Sequence, residues 1–518
     1  MIFVSFLRIL FVKMDTISAR SNFISSLKTG GFSMLNRTAT KTIGFLFLLI
    51  SLAWVISCAI NPVTGKKELM LMSESQEIQI GKQNDQQVIQ SYGLYKDPQL
   101  ESYIESIGLK LAKLSDRPKL TFHFRLLDSP VVNAFAIPGG YIYITRGILA
   151  YLNNEAELAG VLGHEIGHVA ARHSAKQYSK AQLAQLGFGL AYTFSQQFRK
   201  YAGLTNFGVN LLFLKFSRDY ERQADQLGVK YSSEAGYNAQ QMAEFFKTLD
   251  RMQPSGQGAL PNWLATHPNP KERIQNVQKL ARQWQAKLGK KQWVINRNGY
   301  LQRLNGLIFG DDPRQGFVED GIFYHPEMRF YFPVPAGWKL VNTHAQVRMV
   351  SPKKDAVILF TLAKGQTPRQ AADAFIKQSK GSVLASDPMR LQGYSAHRVI
   401  ETIETEKGKL KISSLFIKKE TRIFVFYGYT SDNLFPNYRK AFENTMFGFN
   451  RMTNPRRIQV KPNRIRIVKV SKTISLQQAL RNFGVSGKEL EKFALVNGMK
   501  LTDTVPAGTL LKIEKRGR

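Results

Sequence analysis

His164-Glu165-Ile166-Gly167-His168 constrains this chain more than any other stretch. An H-E-x-x-H pattern has chemical meaning on a helix, where positions four apart lie one above the other on the same face. There two imidazoles can meet one zinc ion, and the carboxylate beside the first can act as a base toward water. The local sequence agrees with a helix. Asn153 or Asn154 can cap its start, and Glu155 and Glu157 in the first turn complement the helix dipole. Leu158, Leu162, Ile166, Val169 and Ala170 then recur near a 3.6-residue period, so the histidines border a buried stripe. Without that context the five residues would read as two ordinary helix histidines at i and i+4.

A catalytic zinc usually takes three protein ligands and leaves one position for water. Downstream, Ser217-Arg218-Asp219-Tyr220-Glu221-Arg222-Gln223-Ala224-Asp225 also reads as helix. Glu221 and Asp225 are four apart and share a face. Glu221 is the candidate third ligand, and Asp225 can accept the free ring N–H of a ligating histidine, fixing its tautomer. Taken alone, the same stretch reads more readily as a plain charged helix.

The combination is more specific than its parts. H-E-I-G-H-V-x-A-R-H-S, then S-R-x-x-E-x-x-A-D, then Thr266-His267-Pro268-Asn269-Pro270-Lys271-Glu272-Arg273-Ile274 resembles metallopeptidase family 48 over roughly residues 60 to 290. This is the gluzincin group of HtpX-like, OMA-type and CAAX prenyl proteases, and the style is that of its periplasmic lipoprotein members. The resemblance implies one Zn2+ per chain, bound by His164, His168 and Glu221, with Glu165 as catalytic base. It also implies that His267 approaches the metal, where it would either restrain activity or assist the reaction. Ahead of the motif, Leu120, Phe122, Phe124 and Leu126 alternate as a half-buried strand, and 141–145 reads as another. The resemblance assigns Asn133, Ala134, Phe135 and Ala136 to an edge strand that would hold an extended protein substrate by strand addition. A plain sheet with a Gly139-Gly140 turn accounts for those side chains equally well.

Lys41 precedes an apolar run over 44–56, and Val55-Ile56-Ser57-Cys58 follows it. This order describes a secretory signal, with residues 1–57 as leader region; Met14 or Met34 would each serve as a start, and Met34 gives an n-region of normal length with Arg37 and Lys41. Cys58 is the single cysteine, which excludes a disulfide within the chain. Its setting resembles a lipobox, so lipidation of Cys58 and a membrane anchor are expected. Retained as a span, the run would be short of the roughly 20 residues needed. Ala59 after the cysteine resembles the outer-membrane sorting pattern, which places the protein in the cell envelope, facing the periplasm.

The 518 residues allow two to four domains, and a net charge of +34 suggests acidic surroundings. Export and the lack of a nucleic-acid motif argue against nucleic acid as partner. Residues 73–93 and 98–114 read as helices, the second opened by Asp97-Pro98. The interval 179–215 is apolar but interrupted by polar and charged residues, so no span is expected there, and 254–258 reads as a loop. After 291–320, taken as linker, residues 321–450 read as an α+β module resembling a PsbP/Mog-type sandwich. It has strands near 357–360 and 423–427, helices over 367–380 and 437–446, and no catalytic constellation. A basic linker at 451–463 leads to 464–516, whose β-α-α-β order resembles a LysM module. LysM modules bind glycans such as peptidoglycan, although Ser471-Lys472-Thr473-Ile474 stands where the usual G-D-T-L would be. From 451 to the end, 16 Lys and Arg face 4 Asp and Glu, a charge that could itself hold an acidic wall.

The expected fold class is therefore α+β. A mainly helical gluzincin domain with a small sheet (58–290) would be followed by the α+β module and the LysM-like βααβ module. The expected function is a lipid-anchored zinc metalloendopeptidase acting on misfolded or stalled envelope proteins. The alternative is an envelope chaperone or peptidoglycan-binding adaptor with a latent protease site.

Overall fold

Capping chemistry sets the first helices. In the computed structural model, which describes residues 58–187, 216–252, 263, 266–267, 270–405 and 408–517, the hairpin β1 (Cys58–Ile60) and β2 (Lys67–Leu69) leads into α1 (Glu74–Tyr92). Ser73 and Gln76 form a reciprocal capping box at its start. Asp97 caps α2 (Pro98–Ala112), with proline in the first turn as its sequence predicts, and Leu100, Ile104, Ile107 and Leu111 are buried. The leader, the interval 188–215 and the loop at 254–258 lie outside the described residues. No described helix is long and apolar enough to cross a membrane.

A three-stranded sheet follows, made of β3 (His123–Leu127), β4 (Ala134–Ile137) and β5 (Tyr141–Thr145). β5 is central, parallel to β3 and antiparallel to β4, so β4 is an edge. Gly139 and Gly140 turn between β4 and β5 at φ 82° and 89°, a region that disfavours side chains. Then come α3 (Arg146–Tyr151), α4 (Glu155–Ala170), α5 (His173–Gly187), α6 (Arg218–Glu234), α7 (Gln241–Arg251) and α8 (Pro270–Leu288). α4 carries the H-E-x-x-H residues. The sequence suggests one apolar stripe on it, whereas every residue from Ala156 to Ala170 is buried. It is a central helix enclosed on all sides, and its glycines leave room for the neighbours. A Cβ at Gly163 would lie 3.0 Å from the Gly228 carbonyl of α6, and one at Gly160 would lie 2.8 Å from Met242 of α7.

Residues 291–320, read as linker, contain α9 (Arg297–Arg303), and Tyr300, Leu301, Leu304 and Leu307 join the same core. Next, β6 (Phe317–Glu319), β7 (Ile322–His325) and β8 (Phe330–Pro333) make a four-stranded sheet with the late strand β16 (Asn450–Arg451). A seven-stranded antiparallel sheet comprises β9 (Lys339–Asn342), β10 (Gln346–Val350), β11 (Ala356–Ala363), β12 (Ser382–Leu391), β13 (Tyr394–Thr405), β14 (Gly408–Lys419) and β15 (Arg422–Ser431), in the order β12-β13-β14-β15-β11-β10-β9. Strand alternation divides its two faces. Phe424 and Phe426 share a core with Phe442 of α11 (Phe435–Phe447), while Val425 and Tyr427 pack with Phe375 of α10 (Pro368–Ser379).

After the short α12 (Pro455–Ile458), β17 (Arg464–Lys469) pairs antiparallel with β20 (Leu510–Lys515) around α13 (Leu476–Asn482) and α14 (Leu490–Val496). A two-residue pair, β18 (Ile474–Ser475) with β19 (Thr504–Val505), closes this unit. Its apolar interior is continuous with that of the first domain, with the Phe493 ring 5.7 Å from Phe309. The α+β class expected from the sequence is the class observed.

Candidate metal centre

Asn154 begins α4 by accepting from the Glu157 amide, which settles the choice left open between Asn153 and Asn154. Nearly three turns later the chain presents His164, Glu165 and His168, all buried. α6, capped by Ser217, lies against α4 and brings Glu221 and Asp225 to the same place. One donor atom each from His164, His168, Glu221 and His267 lie within 4.8 Å of one another, a set that could hold a metal ion. The two histidine Nε2 atoms are 3.0 Å apart, and they stand 3.6 and 3.5 Å from the Glu221 carboxylate oxygens. His267 Nδ1 is 3.0 Å from Glu221 and 3.2 Å from His164 Nε2, so a fourth donor already faces the cluster.

Hydrogen bonds behind the histidines fix which nitrogens face inward. Asp225 Oδ1 lies 2.9 Å from His164 Nδ1 and accepts its proton, leaving Nε2 as a lone pair. His168 is fixed by a longer relay. His173 Nε2 donates to Gln223 Oε1 at 2.9 Å, so the Nδ1 of neutral His173 is an acceptor. It accepts from His168 Nδ1 at 2.9 Å, and the His168 Nε2 lone pair then points at the cluster. Burial pushes His173 down to about 3, which keeps it neutral at ordinary pH. Arg172, in a left-handed conformation at φ 55°, makes the turn from α4 to α5 that delivers His173, and its side chain is tied to Glu77 and the Met72 carbonyl.

Arg273 of α8 completes the electrostatics. It grips Asp225 through two nitrogens at 2.6 and 2.8 Å, approaches Glu221 at 3.2 Å, and lies over the Trp263 and Phe246 rings. Burial raises Asp225, but Arg273 and His164 outweigh it and hold the carboxyl at about 2. Burial likewise works against Glu221, and His267 with Arg273 overcomes it, so that carboxyl is lowered. Burial dominates at Glu165, which is raised despite His267 and His164. Both Glu165 oxygens are buried with no hydrogen-bond partner. Converging imidazole lone pairs, an ionised carboxylate and, alongside, a carboxylate without a hydrogen bond and 3.7 Å from His267 Nε2 make a donor set that fits a divalent cation.

Arg273 and His173 carry this network; both stand inside the sequence motifs, yet neither has a role that the motifs predict. The signal for Arg273 was its place: a cation in the first turn of a helix opposes the dipole and so needs another reason. His173 gave no comparable signal. The 133–136 segment forms the sheet edge beside α4, with Phe135 turned away toward Tyr92 and Tyr143. Just before it, the Val132 carbonyl accepts from the Trp263 amide at 3.2 Å. Trp263 also stacks on His267, so one segment contacts both the edge and the cluster. Cys58 stands at the first residue of β1, opposite Leu69.

The approach of α4 to α6 is tight at Gly228, where a Cβ would meet the His164 amide nitrogen at 2.9 Å. Gly228→Val is expected to force the helices apart, destabilising the protein by about 1–3 kcal/mol and loosening any metal held between them. Thermal unfolding and metal per chain would measure both.

Residues 98–281 match the model of peptidase family M48. The Beta-barrel assembly-enhancing protease of Escherichia coli (strain K12) is 31% identical over 258 residues, 48% of this chain and 52% of that protein. The chain thus spans about half the length of that curated relative. The Mitochondrial metalloendopeptidase OMA1 of Saccharomyces cerevisiae (strain ATCC 204508 / S288c) is 27% identical over 277 residues, 48% of this chain and 75% of that one. Among solved structures, cyanobacterial PsbP from Synechocystis sp. PCC 6803 aligns at 10% identity and a TM-score of 0.23, over 25% of this chain and 91% of that one, too slight a likeness to bear on the fold. The segment that matches the peptidase family M48 model runs from α2 into α8 and takes in every member of the buried cluster.

Proposed function

We propose that the chain is a zinc-dependent metalloendopeptidase of the cell envelope, anchored by lipid on Cys58 at the outer membrane and facing the periplasm. The observation that carries this reading is the convergence of His164 Nε2, His168 Nε2 and the Glu221 carboxylate, with both imidazole tautomers fixed from behind. These three residues would hold Zn2+. When bound, zinc supplies Lewis acidity toward a scissile carbonyl and makes water easier to deprotonate. Glu165, free of hydrogen bonds and raised by burial, takes the proton of the attacking water and passes it to the leaving amine. Asp225 and His173 orient the imidazoles, and Arg273 keeps Asp225 and Glu221 ionised. His267, 3.0 Å from Glu221 and 3.2 Å from His164, would stand beside a bound metal, where it would either restrain the site or assist the reaction.

Extended polypeptide would lie along Asn133, Ala134, Phe135 and Ala136 by strand addition at the β4 edge, because the free side of an edge strand offers backbone donors and acceptors. Misfolded or stalled envelope proteins present such chain. The Escherichia coli relative is a beta-barrel assembly-enhancing protease by name, which supports that setting. The LysM-like unit and its basic surface suit peptidoglycan or another acidic wall polymer as a further partner.

The test is zinc per chain and cleavage of an unfolded protein such as casein. Wild type is expected to hold one zinc and to cleave. Glu221→Ala is expected to lose zinc and activity together, and full zinc retention by that variant would overturn the ligand assignment.

A further inference from the structure

Five consecutive carbonyls precede the metal-bearing helix, and each is held by a side chain. Tyr300 Oη donates to Leu149 O at 2.8 Å. Lys512 Nζ donates to Ala150 O and Leu152 O at 2.8 and 2.7 Å, and Asn153 Nδ2 donates to Tyr151 O at 3.1 Å. Arg297 donates to Asn153 O at 3.2 Å and, through its other terminal nitrogen, to Leu510 O of β20 at 3.2 Å. Two of the donors come from α9, and Lys512 comes from β20, some 360 residues away in sequence. A short helix end and turn would normally leave such carbonyls to water. Here the C-terminal unit and α9 supply the partners of four of the five, and Lys512 is fully buried in doing so.

The same turn is locked to the helix that follows. Glu157 accepts from the Asn153 amide at 2.7 Å and from Asn154 Nδ2 at 3.0 Å, while Asn154 caps the helix. Glu157 lies two turns before His164, roughly 10 Å along the axis and on the same face. The C-terminal unit also approaches closely from its own side. A Cβ at Gly498 would come within 2.7 Å of Asn153 Nδ2, and Asn497 holds Lys512 in place through the Lys512 backbone N–H and carbonyl.

We infer that the C-terminal βααβ unit acts in cis as a clamp on the start of α4, with Lys512 as a positioning residue through which this unit sets how tightly the His164/His168/Glu221 site retains its metal. A turn whose carbonyls are all anchored fixes both the start and the axis of the helix that presents two ligands. Freed carbonyls would let that start fray, and imidazole geometry would loosen with it. Linkage then requires the converse: bound metal stabilises the docking of the unit. This inference rests on the proposed zinc site.

The experiment uses the full-length, zinc-loaded protein. Zinc release to a chromogenic chelator is timed for wild type and Lys512→Met, and amide hydrogen exchange over 490–515 is compared in wild type with and without zinc. Release is expected to be on the order of tenfold faster in the variant, a coupling of ordinary size between sites in one fold. Exchange over 490–515 is expected to quicken when zinc is removed. An unchanged release rate in a folded variant with a lowered Tm would overturn the inference, since it would make Lys512 a structural prop alone. If Lys512→Met does not fold, the wild-type exchange comparison decides, and exchange indifferent to zinc overturns the inference. Wild type that binds no zinc at all would overturn the metal reading, and the clamp with it.

Discussion

Glu165→Gln is expected to lower kcat for casein cleavage by about 10³–10⁴-fold while zinc per chain stays at the wild-type level. The amide has the shape of the carboxylic acid but cannot take a proton from water at neutral pH. Neither Glu165 oxygen has a hydrogen-bond partner, and its contact with a charged group is His267 Nε2 at 3.7 Å, so the exchange breaks no hydrogen bond and loses at most that long ion pair. The three donors proposed for zinc lie on other side chains, which separates binding from chemistry: a silent but metal-loaded protein is the expected product. Cleavage within a few-fold of wild type would remove Glu165 as the base. Loss of zinc in this variant would instead mean that the carboxylate is itself a ligand.

Arg273→Met is expected to destabilise the metal-free protein by about 3–5 kcal/mol, because it removes one partner of a buried charge network and leaves the other side uncompensated. Asp225 would lose two hydrogen bonds and Glu221 its nearest guanidinium. Methionine keeps an unbranched apolar chain against Trp263 and Phe246, so the effect would report charge more than lost packing. The cost should shrink when zinc is present, since a cation beside Glu221 restores part of the missing charge. Urea unfolding with and without zinc measures both effects. A loss under 1 kcal/mol in the metal-free protein would mean that Arg273 does not hold the carboxylates.

The legible parts of the structure were those with a short period or a cap. Asp97-Pro98, the residues around Asn154 and the short apolar run in 423–427 mark elements that the structure contains, because the signals lie within a few residues of each other in the chain. The long strands β12, β13 and β14 were not anticipated. β13 places Glu401 and Thr402 between Ile400 and Ile403, and most of β12 is exposed at a sheet edge, so neither shows clean alternation. The buried course of α4 was also underestimated. Glycine adds nothing to an apolar stripe, yet Gly160, Gly163 and Gly167 are what let α6 and α7 close over the polar side of that helix.

Local spacing was enough to predict the helix that carries His164, Glu165 and His168 and to nominate Glu221 and Asp225, because i and i+4 positions share a face wherever a helix forms. What those residues meet depends on packing between distant elements. The His173–Gln223 relay, the Arg273 grip on two carboxylates, the arrival of His267 and the reach of Lys512 to the turn before α4 all join residues dozens to hundreds of positions apart. Such contacts follow from how enclosed elements pack, and no local pattern in the chain encodes which distant side chain will fill the space beside a ligand.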